Sequence, residues 1–158
     1  MKARARRPTG RALFPMSDIP FLQAFRGSFR GVLRWEQLDA LWVRLRAEAE
    51  AGWYIYHVGD APPATTVDPA QLDTFLREVD GLLRSEHLED YCGIVYADDF
   101  EQPRFVKIFD PHNLGVSCGF STNPPLPGWV LSTIPPVDLP TALPPTGNRR
   151  RWWQRVFG

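Results

Sequence analysis

Residues 68–87, DPAQLDTFLREVDGLLRSEH, decide how this chain is read. Asp68 is a good N-cap, Pro69 suits the first helical position, and Gln71 three residues after the cap completes a capping-box pattern. Leu72, Phe75, Leu76, Val79, Leu82 and Leu83 then recur at helical spacing and make one continuous apolar stripe. The spacing predicts an amphipathic helix that ends near His87.

The segments on either side change period. WYIYHV (53–58) is rich in β-forming side chains, and GDAPPATTV joins it to the helix as a Pro-bearing connection. After the helix, YCGIVYA (91–97) and PRFVKIFD (103–110) read as two strands. DDFEQ between them supplies a polar turn, which predicts a hairpin. GWVLSTI (128–134) reads as a last strand. Ahead of all these, Leu38, Leu41, Trp42, Leu45 and Ala49 form an apolar stripe that predicts a helix over Trp35–Ala51, with Gly52 where a C-terminal cap belongs.

The element order is therefore α-β-α-β-β-β. The economical packing is an α+β two-layer sandwich, a small, mostly antiparallel sheet of about four strands with two amphipathic helices on one face. The β-α-β unit at 53–97 leaves room for one parallel pair with a right-handed crossover.

Composition fits one domain. A chain of 158 residues with 44% hydrophobic and 23% charged side chains has the make-up of a soluble globular protein with one real core. No apolar run approaches the ~20 residues of a membrane span, and the basic N-terminus lacks the apolar segment of a secretory signal. Two cysteines make no disulfide scaffold, which points to a reducing, cytoplasmic setting with free thiols. A Cys92–Cys118 bridge is disfavoured there. The Arg, Ala, Leu and Pro bias suggests a GC-rich bacterial genome.

Zero net charge conceals an asymmetry. Residues 1–34 carry Lys2, Arg4, Arg6, Arg7, Arg11, Arg26, Arg30 and Arg34 against Asp18 alone. Residues 35–140 carry six basic and seventeen acidic side chains. Residues 141–158 carry Arg149, Arg150, Arg151 and Arg155 with no acid. An acidic body thus has two basic ends, which either fold back on it or reach for an acidic partner. Residues 1–27 read as a basic flexible arm, 28–140 as the single domain, and 141–158 as a Pro-rich linker and a basic-aromatic tail. Met16 opens MSDIPFLQAF and would make a natural start, so residues 1–15 read as an over-extended gene start or a mobile arm.

The loop FDPHNLGVSCGFSTNPPLPGW (109–129) holds the richest chemistry. Its GVSCG fits the nucleophile-elbow pattern, which needs a helix directly after the Ser. Asn-Pro-Pro and Leu-Pro-Gly stand where that helix would be. All three histidines precede Ser117, and Asp138 is the only acid after it. The better enzyme reading makes Cys118 a nucleophile, His112 its base and Asp110 the orienter. The turn reading accounts for the same residues more simply: Asp110-Pro111 starts a turn, and Asn113 and Gly115 tolerate left-handed backbone. No C-x-x-C, H-x-x-x-H or H-E-x-x-H spacing and no phosphate-binding glycine motif is present, so neither metal nor cofactor is expected. His87 reads as a cation at a helix C-terminus and His57 as a core or rim histidine.

The tail RRRWWQRVFG has a clearer physical logic. Wound as a helix, Trp152, Trp153, Val156 and Phe157 share one side, with Arg149, Arg150, Arg151 and Arg155 around it. Ten residues do not hold a helix alone in water, so it would order on binding. A protein partner with an acidic, apolar groove, the anionic membrane surface and nucleic acid are the candidate surfaces. The acidic body repels nucleic acid and lipid headgroups, which favours protein. The expectation is a non-catalytic accessory domain that binds a protein through Arg149, Arg150, Arg151, Trp152, Trp153, Arg155 and Phe157. The alternatives are a small thiol enzyme and a peripheral membrane protein.

Overall fold

The computed structural model describes residues 18–87, 92–111 and 126–143. The helix opened by Asp68 is present as α3, Pro69–Glu86. Its cap forms both reciprocal bonds: Gln71 N donates to Asp68 Oδ1 (2.7 Å) and Asp68 N to Gln71 Oε1 (2.9 Å). Leu72, Leu76, Val79 and Leu83 are buried. Burying each such side chain stabilises the fold by about 1.5–3 kcal/mol.

Helix α2, Trp35–Ala47, buries Leu38, Leu41, Trp42 and Leu45 beside α3. Gln37 Oε1 caps its start by accepting Leu33 N (2.9 Å) and Arg34 N (3.0 Å). A short 3-10 turn, Ala49–Ala51, ends on Gly52, whose φ of 91° is the left-handed conformation a helix terminus takes most easily with glycine.

Among the described residues, five strands form one sheet: β1 (Arg30–Gly31), β2 (Tyr54–His57), β3 (Val95–Ala97), β4 (Phe105–Ile108) and β5 (Trp129–Ser132). The order is β1-β3-β4-β5-β2, and each neighbouring pair is antiparallel. The β3–β4 hairpin holds, with Val95 opposite Ile108. The parallel pair for which the β-α-β unit at 53–97 leaves room does not form between β2 and β3. Strand β5 returns to pair with both β4 and β2, so β4 and β5 separate β2 from β3. Strand β1 carries no readable alternation in its two residues. Glycine at 31 leaves room for the Tyr96 ring, which a Cβ there would approach to 3.1 Å.

Strand side chains alternate between faces. Val95, Val106, Ile108 and Leu131 meet α2 and α3 in the larger core, which also holds the fully buried Trp53. Phe105, Val130 and Tyr56 point the other way, into a second core with Phe21, Leu22 and Leu139. Two short helices cover that second face: α1, Pro20–Phe25, and α4, Leu139–Ala142. The Tyr56 hydroxyl accepts Leu139 N at 3.0 Å and anchors α4.

The second face moves one boundary. Residues 18–27, read from sequence as part of a flexible arm, belong to the folded body, since Phe21 and Leu22 are each 1% exposed. α1 has six residues, no side-chain cap and no acid in its first turn, so local sequence does not announce it. Tertiary burial holds it in place. Among the described residues, no helix is long and apolar enough to cross a membrane.

Candidate functional site

Asp110 leaves the end of β4 and lies against the start of β5. A Cβ at Gly128 would sit 3.2 Å from the Asp110 Cβ, so this close approach favours glycine. Gly128 N donates to Ile108 O and Val58 N donates to Gly128 O, both at 2.9 Å, which ties the ends of β4 and β2 to the same point. His57 occupies that end of β2, with its ring tilted on Trp129 at 5.7 Å. Its Nδ1 lies 2.9 Å from Asp60 Oδ2. An imidazole oriented by a carboxylate is one element of a general base. Both groups are exposed, at 55% and 72%, and such surface pairs contribute at most about 1 kcal/mol. Among the described residues, no Ser, Thr or Cys bonds to His57.

Of the proposed thiol set, only Asp110 is placed. His112 and Cys118 lie outside the described residues. So do the tail residues Arg149, Arg150, Arg151, Trp152, Trp153, Arg155 and Phe157. Cys92 is fully buried, and burial pushes its thiol pKa up, which makes it an inert core side chain. His87 caps α3, its N–H donating to Leu83 O, with its ring 6.2 Å from Trp35. Among the described residues, no group of three or more His, Cys, Asp or Glu is arranged to hold a metal ion.

The charges of the body form a pattern. Arg44 pairs with Glu101 (2.8 Å), and Arg46 and Arg77 share Asp73 (2.7 and 3.1 Å). Arg84 bridges Asp39 and Asp80 (2.6 and 2.9 Å), while Arg104 meets Glu48 (3.3 Å). Asp80 also accepts Trp42 Nε1, which joins α2 to α3. The two arginines beside Asp73, Arg46 foremost, hold its carboxyl below the ordinary range. Five of the six cations between residues 35 and 140 are thus engaged with carboxylates.

The sixth, Lys107, is different. It lies on the second face of the sheet, half-buried between Phe105 and Phe109 in sequence. Its Nζ sits 4.1 Å from the ring centre of Phe25 and 4.0 Å from that of Phe29. Among the described residues, no carboxylate pairs with it. Burial lowers its pKa to about 8, and the two ring faces, which favour an ammonium, act against that loss of solvent. Sequence reasoning passed over this residue. The signal was present in FVKIFD, where period two sets Lys107 on the face of Phe105.

A shallow depression of about 630 Å³ lies between α2 and the β3–β4 turn, lined by Gln37, Ala40, Val43, Arg44, Phe100 and Glu101. Asp98 and Asp99 build the turn: Asp99 accepts Glu101 N and Gln102 N, and Asp98 accepts Arg104 N and Phe105 N. Val43 at its rim is 61% exposed. No family model, no curated protein and no solved structure matches the chain.

Proposed function

We propose that the chain is a non-catalytic accessory domain that engages a protein partner through its basic-aromatic C-terminal segment, Arg149, Arg150, Arg151, Trp152, Trp153, Arg155 and Phe157. The observation that carries this reading is the occupation of the cations between residues 35 and 140. Arg44, Arg46, Arg77, Arg84 and Arg104 are held by carboxylates, and Lys107 by aromatic rings. The folded body therefore has an acidic excess and no spare cation of its own between residues 35 and 140 to meet an acidic surface. The basic ends supply that role, and the tail combines it with tryptophans suited to an apolar groove. The same acidic excess opposes phosphate-rich surfaces, which sets membrane and nucleic acid behind protein.

The test is a full-length W152A/W153A variant against the parent chain, as baits in nuclease-treated, membrane-cleared lysate, with thermal unfolding measured on both. A protein captured by the parent and lost by the variant, at unchanged unfolding, supports the reading. Equal capture refutes it. Lost cooperativity of unfolding would make the tryptophans part of the core instead.

A further inference from the structure

Helix α2 carries a second apolar series besides the one it turns to the core. Glu36, Ala40, Val43 and Ala47 lie on its exposed side at steps of four, three and four residues, and Leu33, just ahead of the helix, extends the series by three. That is the spacing of a coiled-coil seam. Among the described residues, Leu33 and Val43 are the large apolar side chains left exposed, at 61% each. Both belong to this series. The depression of about 630 Å³ runs alongside it, with Gln37 on its α2 wall and Phe100 on the facing wall.

We infer that this side of α2 is a docking surface for a second copy of the chain, the two α2 helices lying antiparallel and crossing at Ala40. This goes beyond the partner-binding reading and does not depend on it. Charge selects both the occupant and the direction. The first turn of α2 carries Glu36 and its last turn Arg44 and Arg46. Glu36 makes no ion pair among the described residues, and Arg44 meets Glu101, whose side chain is 81% exposed. Glu36 stands four residues before Ala40 and Arg44 four residues after it. An antiparallel crossing at Ala40 therefore sets Glu36 of each copy beside the partner's Arg44, twice over by the two-fold axis. A parallel crossing would oppose like charges, and a uniformly acidic or basic foreign helix would match only one end of α2.

The same axis covers the exposed apolar groups. Val43, three residues after Ala40, comes opposite the partner's Gln37 at the mouth of the depression. Leu33, seven residues before, comes opposite the partner's Ala47. The small side chain at the crossing lets the helix axes approach closely. The chain's formal net charge of zero puts no overall repulsion between copies. Only 13 residues of helix meet on each side, so the contact belongs at the small end of specific interfaces, with a dissociation constant on the order of 10 µM.

The experiment is sedimentation equilibrium of the full-length protein from about 1 to 200 µM, a range that brackets that constant. Thermal unfolding of each variant at the lowest concentration checks that it folds. The parent chain should fit a monomer–dimer equilibrium. Val43→Glu, which would bury an unpaired carboxylate in each half of the contact, should stay monomeric throughout. Glu36→Arg and Arg44→Glu should each weaken the dimer by about tenfold, because each turns two attractions into two repulsions. The double variant Glu36→Arg/Arg44→Glu should return to within about threefold of the parent, as pairing across the axis requires. A parent chain that stays monomeric at the highest concentration overturns the assignment. So does a dimer that survives Val43→Glu, or a pair of charge reversals that fail to cancel. A dimer lost in W152A/W153A but kept in Val43→Glu would assign the contact to the tail and overturn it as well.

Discussion

Replacing Phe21 with alanine tests whether residues 18–27 belong to the folded body. Phe21 is 1% exposed, its ring 5.1 Å from Phe105 and 6.3 Å from Tyr56. If α1 stays docked, the truncation leaves a cavity and costs about 3–5 kcal/mol. If α1 lets go, the cost is what its docking contributes. Burying Phe21 and Leu22 at about 1.5–3 kcal/mol each gives a similar figure. Both routes predict a loss of about 3 kcal/mol or more, which lowers the urea midpoint by about 1–2 M. Intrinsic fluorescence of the six tryptophans reports the transition. Native-state hydrogen exchange separates the two routes, because detachment deprotects residues 18–31 while leaving α3 slow. A loss below about 0.5 kcal/mol, the range of a neutral surface change, would refute the placement of α1.

Two further outcomes follow from the titratable groups. Lys107 has a lower pKa folded than unfolded, so between about 8 and 10.5 the unfolded chain holds more protons and stability rises with pH; denaturant titrations across that window should show the rise, and Lys107→Met should flatten it. Cys92 is sealed in the core, so its alkylation should await unfolding; a thiol enzyme would require Cys118 to alkylate far faster than Cys92, with a profile centred well below about 8.5, and slow reaction at Cys118 would end that reading.

The residues explain which parts of the fold were legible. Helix α3 announces itself because Asp68 and Gln71 cap it locally and its stripe spans several turns. The β3–β4 hairpin is equally local, since Asp98 and Asp99 supply their own turn bonds. Helix α1 and strand β1 depend on distant partners, Phe105 and Tyr56 for one and Tyr96 for the other, and no short window of sequence contains both sides of such a contact. The same holds for the sheet order, where the pairing of β5 with β2 joins residues far apart in the chain. Of the candidate thiol set, Asp110 alone falls within the described residues, against Gly128 just past the end of β4. The aromatic clamp on Lys107 was missed because Phe25 lies in the segment read as an arm, residues 1–27, and Phe29 in a stretch just after it that was assigned to no element.

The edges of the sheet have a consequence for how the molecule meets others. One edge is β1, only two residues long. The other is β2, where Trp53 O already accepts Val67 N (2.8 Å) and His57 O accepts Asp60 N (3.0 Å). Tyr54 and Tyr56 turn their backbone groups toward β5, in alternation with the Val58–Gly128 bond. The outward carbonyls of Trp53 and His57 are thus taken, and among the described residues only the Ile55 carbonyl is left between them as an outward acceptor. An incoming strand would find one open acceptor along β2, too little to nucleate sheet growth from molecule to molecule. Among the described residues, the two sheet edges thus keep the strands from acting as a template for one another across molecules.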